Sequence, residues 1–225
     1  MKKITIIIPT MWRSDALLDM LPKYDALEAV QEILLIDNAP DRTPELPELR
    51  KLTVMTQGEN IYVNPAWNWG VSCAVTELVA IVNDDLVIGT TDLQQMVSAA
   101  IEGLDEYELI GMHDNNFTDA SSTGVELIAV NGKRHGFGTF MFIRREAYVQ
   151  VPDEIKIWRG DHIQVKHCRT AVLRGVYIST PMSVTINSSP RLGTVAKQDT
   201  HIYRQRYRHY DEGLGRIHPE AQRHV

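Results

Sequence analysis

The residues LVAIVNDD at positions 78–85 decide the fold class of this 225-residue chain. Five consecutive apolar residues are typical of a β-strand that is buried on both faces of a parallel sheet. The strand would end in Asn83, Asp84 and Asp85, and open α/β sheets bind their ligands at that end of their strands. Such oxygen ligands suit a hard divalent cation, although acidic pairs also occur in ordinary polar turns. The motif therefore predicts a ligand site, with a metal as one interpretation.

Two earlier runs, ITIIIPT at positions 4–10 and EILLID at positions 32–37, repeat this pattern. Thr10 ends the first run, Arg13 follows shortly after it, and Asp37 ends the second run. Because parallel strands finish on the same edge of a sheet, we expect these polar groups to lie in one row. A row of this kind can hydrogen-bond a base, a ribose and a diphosphate, so the three endings together predict a nucleotide site.

Helical patterns separate these runs, as in repeated βαβ units. One helix is predicted from residue 15 to a stop at Pro22, and another follows an N-cap at Asn64. A third is predicted from a capping box of Thr91 and Gln94 to about residue 102. The alternation predicts an α/β fold with a mainly parallel central sheet.

Beyond residue 103 the apolar pattern changes to short strands separated by polar and glycine-containing turns. We expect strands at 109–112, 126–130 and 139–143, which would form a small antiparallel or mixed extension of the sheet. Asp161 is predicted to cap a helix that continues to about Arg174, followed by a strand at 176–179. The sequence has no repeat, low-complexity tract or linker, so residues 1–225 are predicted to form a single domain.

The charge of the chain is unevenly distributed. The formal net charge is −6, yet from Asn131 onward there are 16 Lys and Arg residues against 8 Asp and Glu residues. This excess predicts a basic surface for an anionic partner, unless the charges of the two halves intermix in the fold. The apolar runs are too short to cross a bilayer, so no membrane span is predicted. Cys73 and Cys168 are widely spaced, which fits a reduced, cytoplasmic protein.

Two other classes of nucleotide-binding enzyme lack their motifs here. A dinucleotide-dependent dehydrogenase requires G-x-G-x-x-G after its first strand. A sugar nucleotidyltransferase requires a glycine-rich loop with a following lysine at the same point. The sequence PTMWR at positions 9–13 contains no glycine, so both classes are disfavoured.

Four segments in this order resemble the family 2 glycosyltransferases of the GT-A fold: IIPT at 7–10, LLIDN at 34–38, NPAWNWG at 64–70 and VNDD at 82–85. The resemblance is detailed over about the first 90 residues and holds in outline beyond them. It implies a Rossmann-like GT-A domain that transfers a sugar from a nucleotide-sugar donor, with a UDP-sugar favoured, to an acceptor hydroxyl. Residues 1–90 would form the nucleotide-sugar-binding half, and residues 91–225 the acceptor-side half with a basic C-terminal segment.

The resemblance also implies roles for individual residues of the first half. Thr10, Arg13 and Asp37 would line the nucleotide pocket, with Asp37 near the base. Asn68 would face the donor. Many relatives carry an arginine just before this asparagine, whereas the present chain has Trp67. The helical spacing of Trp67 favours a place in the core, and stacking on a base is the alternative.

A divalent metal, Mn²⁺ or Mg²⁺, is a further implication of the resemblance. Asn83, Asp84 and Asp85 would form the DxD-type motif, in which Asp85 contacts the metal and Asp84 the ribose or sugar. Relatives often supply a late histidine as an additional ligand, and at the matching position this chain offers Asn187. His201 is a second candidate for that ligand.

In the second half, GFGTF at 136–140 resembles the glycine-rich strand under the donor sugar, which places Gly138 against the donor. WRGD at 158–161 stands where the family carries an acidic residue, and in inverting members that carboxylate is the general base. Asp161 would take the proton of the acceptor hydroxyl during attack on the anomeric carbon, an effect worth ~10²–10⁴-fold. A role for Asp161 as a helix N-cap is compatible with this one.

The basic second half favours an anionic acceptor. Its last part combines tyrosine and arginine in a pattern suited to a phosphate backbone with stacked bases, at Tyr203, Arg204, Arg206, Tyr207, Arg208 and Tyr210. In this respect the chain resembles phage-type enzymes that glycosylate hydroxymethylated bases in DNA, which implies such a base as the acceptor, with a cell-surface saccharide or teichoic-type acceptor as the alternative. A non-catalytic nucleotide-sugar-binding module also stays open, because asparagine is a weak metal ligand. The oligomeric state is not predicted.

Overall fold

The computed structural model describes residues 2–118, 124–132, 134–180 and 189–207. The strands of these ranges are β1 (Ile4–Thr10), β2 (Val30–Asp37), β3 (Leu52–Thr56), β4 (Leu78–Val82), β5 (Val87–Ile88), β6 (Leu109–Met112), β7 (Glu126–Ala129), β8 (Phe140–Arg144), β9 (Thr170–Arg174) and β10 (Ile178–Ser179). The α-helices are α1 (Ala16–Ala26), α2 (Val63–Cys73), α3 (Thr90–Gly103), α4 (Gly160–His167) and α5 (Pro190–Ile202). A π-helical turn, Tyr203–Tyr207, follows α5.

Eight of the strands form one sheet, in the order β3-β2-β1-β4-β8-β6-β9-β7. β3, β2, β1 and β4 are parallel to one another, and so are β6 and β9. β8 and β7 run antiparallel to their neighbours, while β5 and β10 pair as a separate antiparallel ribbon. The predicted α/β fold, with a mainly parallel central sheet and a small antiparallel extension, is confirmed.

Helices cover both faces of this sheet. On one face α1 and α3 bury Leu17, Tyr24 and Met96 against the strands, and on the other α2 buries Trp67 and Val71. Because β1 and β4 lie between these layers, every one of their residues is buried, which explains their continuous apolar runs. None of the helices in the described ranges is long and apolar enough to cross a bilayer.

The first helix does not stop at Pro22, as predicted, but continues to Ala26 with Pro22 inside it. Proline removes one backbone hydrogen bond from a helix and costs roughly 3 kcal/mol there. Leu21 and Tyr24, on either side of Pro22, are both buried in the core. Burial of a large apolar side chain contributes about 1.5–3 kcal/mol, so two such residues offset the cost.

Two predicted helix caps are also wrong. α2 begins at Val63 rather than Pro65, and Asn64 lies in its first turn with a buried side chain that bonds to a distant segment. α3 begins at Thr90 after Gly89, and no side chain caps it. In both cases the helix starts one or two residues earlier than its side-chain signal indicated.

The helix predicted from Asp161 to Arg174 is interrupted halfway. α4 ends at His167, and Thr170–Arg174 form β9, which pairs with β6 in parallel and with β7 in antiparallel orientation. The first four residues of β9, TAVL, are all buried between these two strands. A short run with β-branched residues fits this position in the sheet better than it fits a helix.

Candidate functional site

The polar residues at the strand ends lie side by side, as their positions in the sequence predict. Thr10 and Asp37 pair in register between β1 and β2, and the Asn38 backbone N–H donates to the Thr10 carbonyl over 2.9 Å. Thr10 Oγ1 also donates to Asp84 Oδ2 over 2.7 Å. These bonds join the ends of β1 and β2 to the turn that follows β4.

This edge of the sheet lines a cavity of about 450 Å³. We name the part formed by Thr10, Asn83, Asp84 and Asp85 the strand-end wall, and the part formed by residues 157–162 the loop wall. Gly138 lies in the lining as well, after β7 and before β8. Small-molecule sites in proteins typically have volumes of about 300–1,000 Å³, so the cavity can hold a ligand of that size.

The strand-end wall carries two buried carboxylates. Burial raises the pKa of Asp84 to about 6, against the opposing hydrogen bond from Thr10 and with a further increase from the charge of Asp85. Burial also raises the pKa of Asp85. The Oδ1 atom of Asp85 is buried and has no hydrogen-bond partner among the described residues. An unpaired buried carboxylate oxygen is costly, so this position fits a ligand to a cation.

A cation at Asp85 could take further ligands from a bound substrate or water. Within the described residues, no three His, Cys, Asp or Glu side chains are arranged to hold a metal ion. The oxygen atoms of a diphosphate and of water are suitable ligands for Mg²⁺ and similar ions. Of the two late ligands proposed from the sequence, Asn187 lies outside the described residues, and His201 is exposed on α5 away from the cavity lining.

Two of the predicted nucleotide-binding residues do not line the cavity. The buried carboxylate of Asp37 accepts hydrogen bonds from Trp12 Nε1 and the Ala39 backbone N–H, both over 2.9 Å, and from Thr43 Oγ1. It thereby holds the turn after β2 in place. Arg13 is half-buried, and its Nε has no hydrogen-bond partner among the described residues. The nucleotide-binding roles of both residues stay predictions.

Asn68 lies outside the cavity lining and connects α2 to the segment after β8. Its Oδ1 accepts hydrogen bonds from Tyr148 Oη over 2.8 Å and from the Val151 backbone N–H over 2.9 Å. Its Nδ2 donates to the Val151 carbonyl over 2.8 Å. These bonds occupy both ends of the amide, so a donor contact by Asn68 would require them to rearrange.

Gly138 and Asp161 lie against each other in the cavity. A Cβ atom added to Gly138 would lie 2.8 Å from Asp161 Oδ2, closer than such atoms approach in folded proteins. A larger residue at this position would therefore require the Asp161 carboxylate to shift. The N-cap of α4 is Arg159, so Asp161 belongs to the first turn of the helix and is not its cap. A carboxylate in that turn interacts favourably with the helix dipole.

Hydrogen bonds fix the orientation of the Asp161 carboxylate. Its Oδ1 accepts from the His162 backbone N–H over 2.9 Å and lies 3.0 Å from His162 Nδ1. Arg159 Nη1 lies 2.8 Å from His162 Nε2, and its guanidinium packs over the Tyr203 ring at 5.6 Å. Because arginine can only donate, Nε2 accepts this bond and Nδ1 carries the proton that is given to Asp161. The imidazole ring is thus held in one orientation between Arg159 and Asp161.

A buried aspartate from α5 holds the backbone of the loop wall. Asp199 is 1% exposed, and its carboxylate accepts three backbone hydrogen bonds, from Lys156 (2.9 Å), Ile157 (2.6 Å) and Trp158 (2.9 Å). The sequence analysis missed this residue. Its helical spacing from the apolar residues Leu192 and Ala196, which are also buried, was the available signal.

Asn64 holds the same segment from α2. Its Nδ2 donates to the carbonyls of Ile155 over 3.0 Å and Trp158 over 3.1 Å. Gly160 lies so close to α2 that an added Cβ would collide with Asn64 Oδ1 and lie 2.7 Å from Trp67 Cζ3. Trp67 itself is 5% exposed and packs in the core, as its spacing predicts, although it also lines the cavity.

Three of the described arginine and tyrosine residues after α5 are engaged within the fold. Tyr203 is buried in a small apolar cluster with Val151, Ile155 and Ile163. Arg206 Nη1 and Tyr207 Oη contact Glu154 Oε1 over 3.2 Å and 2.7 Å, respectively. Arg204 is exposed, whereas Arg208 and Tyr210 lie outside the described residues. Arg206 and Tyr207 therefore pack against an acidic residue of the same chain, Glu154.

Comparison with known proteins adds a family and two similar structures. Residues 5–151 match the model of the family described as Glycosyl transferase family 2. The chain is similar to S. aureus TarS 1-349 in complex with UDP, with a TM-score of 0.57 and 14% identity over 98% of this chain and 77% of that chain. It is also similar to the mannosyltransferase PcManGT from Pyrobaculum calidifontis in complex with GDP-Man and Mn²⁺, with a TM-score of 0.59 and 16% identity over 79% of this chain and 56% of that chain.

At these identities the two structural matches establish the fold alone, and they confirm the predicted GT-A fold. None of the curated proteins matches the chain.

Proposed function

The chain belongs to glycosyltransferase family 2, and from that premise we propose that it transfers a sugar from a metal-bound UDP-sugar to an acceptor hydroxyl, with inversion at the anomeric carbon. One observation carries this proposal: the buried Asp84–Asp85 turn and the Asp161 carboxylate line the same cavity. The first can bind a metal–diphosphate group and the second can act as a base. Binding of UDP by the similar TarS structure supports the choice of donor.

The strand-end wall would hold the donor. The hydrogen bond from Thr10 to Asp84 Oδ2 fixes this carboxylate, so that Asp84 can accept a hydrogen bond from the ribose or the sugar. Asp85 would be a protein ligand of the divalent cation through its Oδ1, which has no hydrogen-bond partner in the part of the chain that the structure describes. When bound, the cation would neutralise the charge that develops on the leaving phosphate.

Asp161 would be the general base. The acceptor hydroxyl gives its proton to this carboxylate while its oxygen forms a bond to the anomeric carbon. The bond from that carbon to the phosphate oxygen breaks at the same time, and the nucleoside diphosphate leaves with the electron pair. Within this carboxylate, Oδ1 accepts from the His162 backbone N–H, and Oδ2 lies beside Gly138.

We propose a saccharide hydroxyl as the acceptor in place of a DNA base. The DNA hypothesis relied on tyrosines that could stack on bases, and Tyr203 is buried while Tyr207 donates to Glu154. Arg206 contacts the same glutamate and is thereby partly neutralised. These contacts leave less of the basic segment available for a phosphate backbone.

Donor hydrolysis and sugar transfer provide the test. The purified chain is incubated with Mn²⁺ and a panel of UDP- and GDP-sugars, with methyl pyranosides, disaccharides or hydroxymethylated duplex DNA as acceptors. Transfer from a UDP-sugar to a saccharide, lost with EDTA and in the Asp85→Ala variant, is the expected result, and NMR of the product gives its anomeric configuration. Transfer of the sugar to DNA would show that the acceptor is DNA and not a saccharide. Donor binding without any turnover would favour a non-catalytic module, and absence of donor binding would contradict the proposal.

A further inference from the structure

Trp158 is a large aromatic side chain exposed at the cavity. It is 45% exposed and belongs to the lining. The other large apolar side chains that are exposed in the described part of the chain do not line the cavity; they are Val54, Val75, Val87 and Tyr177. Apolar area left in water is unfavourable by roughly 25 cal/mol per Å², so a ligand that covers the indole gains that free energy.

The backbone of Trp158 is fixed on both sides of the residue. Its N–H donates to Asp199 Oδ2 over 2.9 Å, and its carbonyl accepts from Asn64 Nδ2 over 3.1 Å. Asp199 and Asn64 belong to different helices, so the position of Trp158 is set by two independent elements. A contact surface that is already ordered loses little conformational entropy when a ligand binds.

The position of Trp158 relative to Asp161 indicates which substrate it would contact. Arg159 adopts a left-handed conformation, with φ of 75°, and turns the chain directly into α4. As a result Trp158 and Asp161, three residues apart, both line the cavity. The base must touch the acceptor hydroxyl, whereas the donor diphosphate is assigned to the strand-end wall. A sugar ring that contacts the indole of Trp158 would therefore be part of the acceptor.

The charges in the cavity indicate the chemistry of that acceptor. Asp84, Asp85 and Asp161 all contribute to the lining, and Arg159 is the one lysine or arginine in the lining that the structure describes. The Arg159 guanidinium is engaged with His162 and Tyr203. A phosphate backbone would meet mainly negative groups here. A pyranose ring is uncharged, and the C–H face of the ring can cover an indole while its hydroxyls reach the carboxylates.

We propose that Trp158 forms a stacking subsite for the pyranose ring of a saccharide acceptor, and that Asp199 and Asn64 are its positioning residues. This inference rests on the proposed function, because it takes Asp161 as the base that receives the acceptor proton. It adds the place where the acceptor ring binds.

The binding test uses the indole signals of the chain, which has four tryptophans. Protein labelled with ¹⁵N at tryptophan is saturated with UDP and Mg²⁺, and the Trp158 signal is assigned by its loss in Trp158→Phe. Methyl pyranosides of glucose, N-acetylglucosamine, mannose and galactose are then titrated, and hydroxymethylated duplex DNA in a separate series. We expect saturable movement of the Trp158 signal with at least one pyranoside. Movement with DNA alone, or with none of these probes, overturns the subsite.

Kinetics separate this inference from the proposed function. Trp158→Ala should raise the KM for the saccharide acceptor about tenfold, the loss expected for one ring-sized apolar contact, with a smaller change in the Kd of the UDP-sugar. Tyr177→Ala removes an aromatic side chain that is 38% exposed outside the cavity, and it should leave all these values unchanged. An unchanged acceptor KM in Trp158→Ala overturns the subsite alone. If the wild-type protein neither binds nor hydrolyses any UDP-sugar, the proposed function is overturned instead.

Discussion

The strand-end wall and the loop wall of the cavity are held together in different ways. The strand-end wall is a product of the parallel sheet, in which neighbouring strands finish at one edge and bring Thr10 and Asp84 within 2.7 Å. The loop wall has little regular structure before α4, and its backbone is held by single side chains such as Asn64 and Asp199. One wall therefore depends on the sheet as a whole, and the other on a few individual hydrogen bonds.

Because of this difference, substitutions in the two walls should affect the protein in different ways. Changes at the strand-end wall should act mainly through charge, because the surrounding strands keep its geometry. Changes at the loop wall should act mainly through position, because few bonds define it. The following variants test this division, in order of decreasing expected effect.

The largest effect is expected from Asp161→Asn, which keeps the shape of the side chain and removes its ability to accept a proton. The kcat of sugar transfer should fall by ~10²–10⁴-fold, the usual contribution of a general base. The affinity for the UDP-sugar, measured by calorimetry, should stay the same, because the strand-end wall is unchanged. Wild-type kcat in this variant would remove Asp161 from the mechanism.

The free energy of unfolding is expected to depend on pH through Asp84 in the strand-end wall. Burial raises the pKa of Asp84 from 3.8 to about 6, so between these values the folded state binds a proton more tightly than the unfolded chain. Its contribution to stability is fully present below about pH 4 and is lost as the pH rises through 6. The difference is on the order of 3 kcal/mol, from about 1.4 kcal/mol per pKa unit.

Unfolding in urea between pH 4 and 7, with EDTA present, measures this contribution. Asp84→Asn cannot titrate, so the variant should lack the part of the stability loss that Asp84 causes in the wild-type protein. If the free energy of unfolding changes with pH in the same way for both proteins, the pKa of Asp84 is not raised in the folded state.

Gly138→Ala tests the contact between Gly138 and the loop wall. The new Cβ would lie 2.8 Å from Asp161 Oδ2, so the carboxylate must move, and kcat should fall about 100-fold. Gly193→Ala on α5 is the matched control, since no atom lies within 4 Å of its added Cβ. This control should keep full activity and gain about 0.5–1 kcal/mol of stability, because alanine is the better helix former. Similar activities for both variants would show that Asp161 tolerates displacement.

A smaller effect, chiefly on stability, is expected from Asp199→Asn. The amide cannot accept the three backbone hydrogen bonds as the carboxylate does, which should cost about 2 kcal/mol of unfolding free energy. The acceptor KM should rise while the affinity for the UDP-sugar stays constant. Asp153→Asn, an exposed change in the same segment, serves as the control and should alter neither value. An equal loss of donor affinity in Asp199→Asn would mean that the two walls are not independent.

The same contrast explains what the sequence could predict. The strand-end wall follows from local signals: an apolar run of strand length and the polar residues that end it. The sheet then brings Thr10, Asp84 and Asp85 together without further information. The role of Asp161 as general base was predicted through a family resemblance, and the residue does line the cavity, which leaves that role a prediction.

The loop wall could not be predicted in this way. Asn64 has a bonding partner 91 residues away and Asp199 has one 43 residues away, and no local pattern reports such distances. Asn64 was interpreted as a helix cap because asparagine next to proline is typical of one. The β9 run was assigned to a helix because its position between β6 and β7 is a property of the whole sheet. Asn68 was matched to the donor, whereas its amide connects α2 to Val151.

The small β5–β10 ribbon limits how this enzyme can be divided. The Asp84–Asp85 turn leads directly into β5, and the partner of β5 is β10, which comes 90 residues later in pairs such as Ile88 with Ile178. A fragment that ends near residue 90 would contain the Asp84–Asp85 turn but lack this ribbon partner and also β8, the neighbour of β4. Residues 1–90, the predicted donor-binding half, are therefore not a portable module, and exchanging the predicted acceptor half between relatives should succeed only if the β10 strand is kept with residues 1–90.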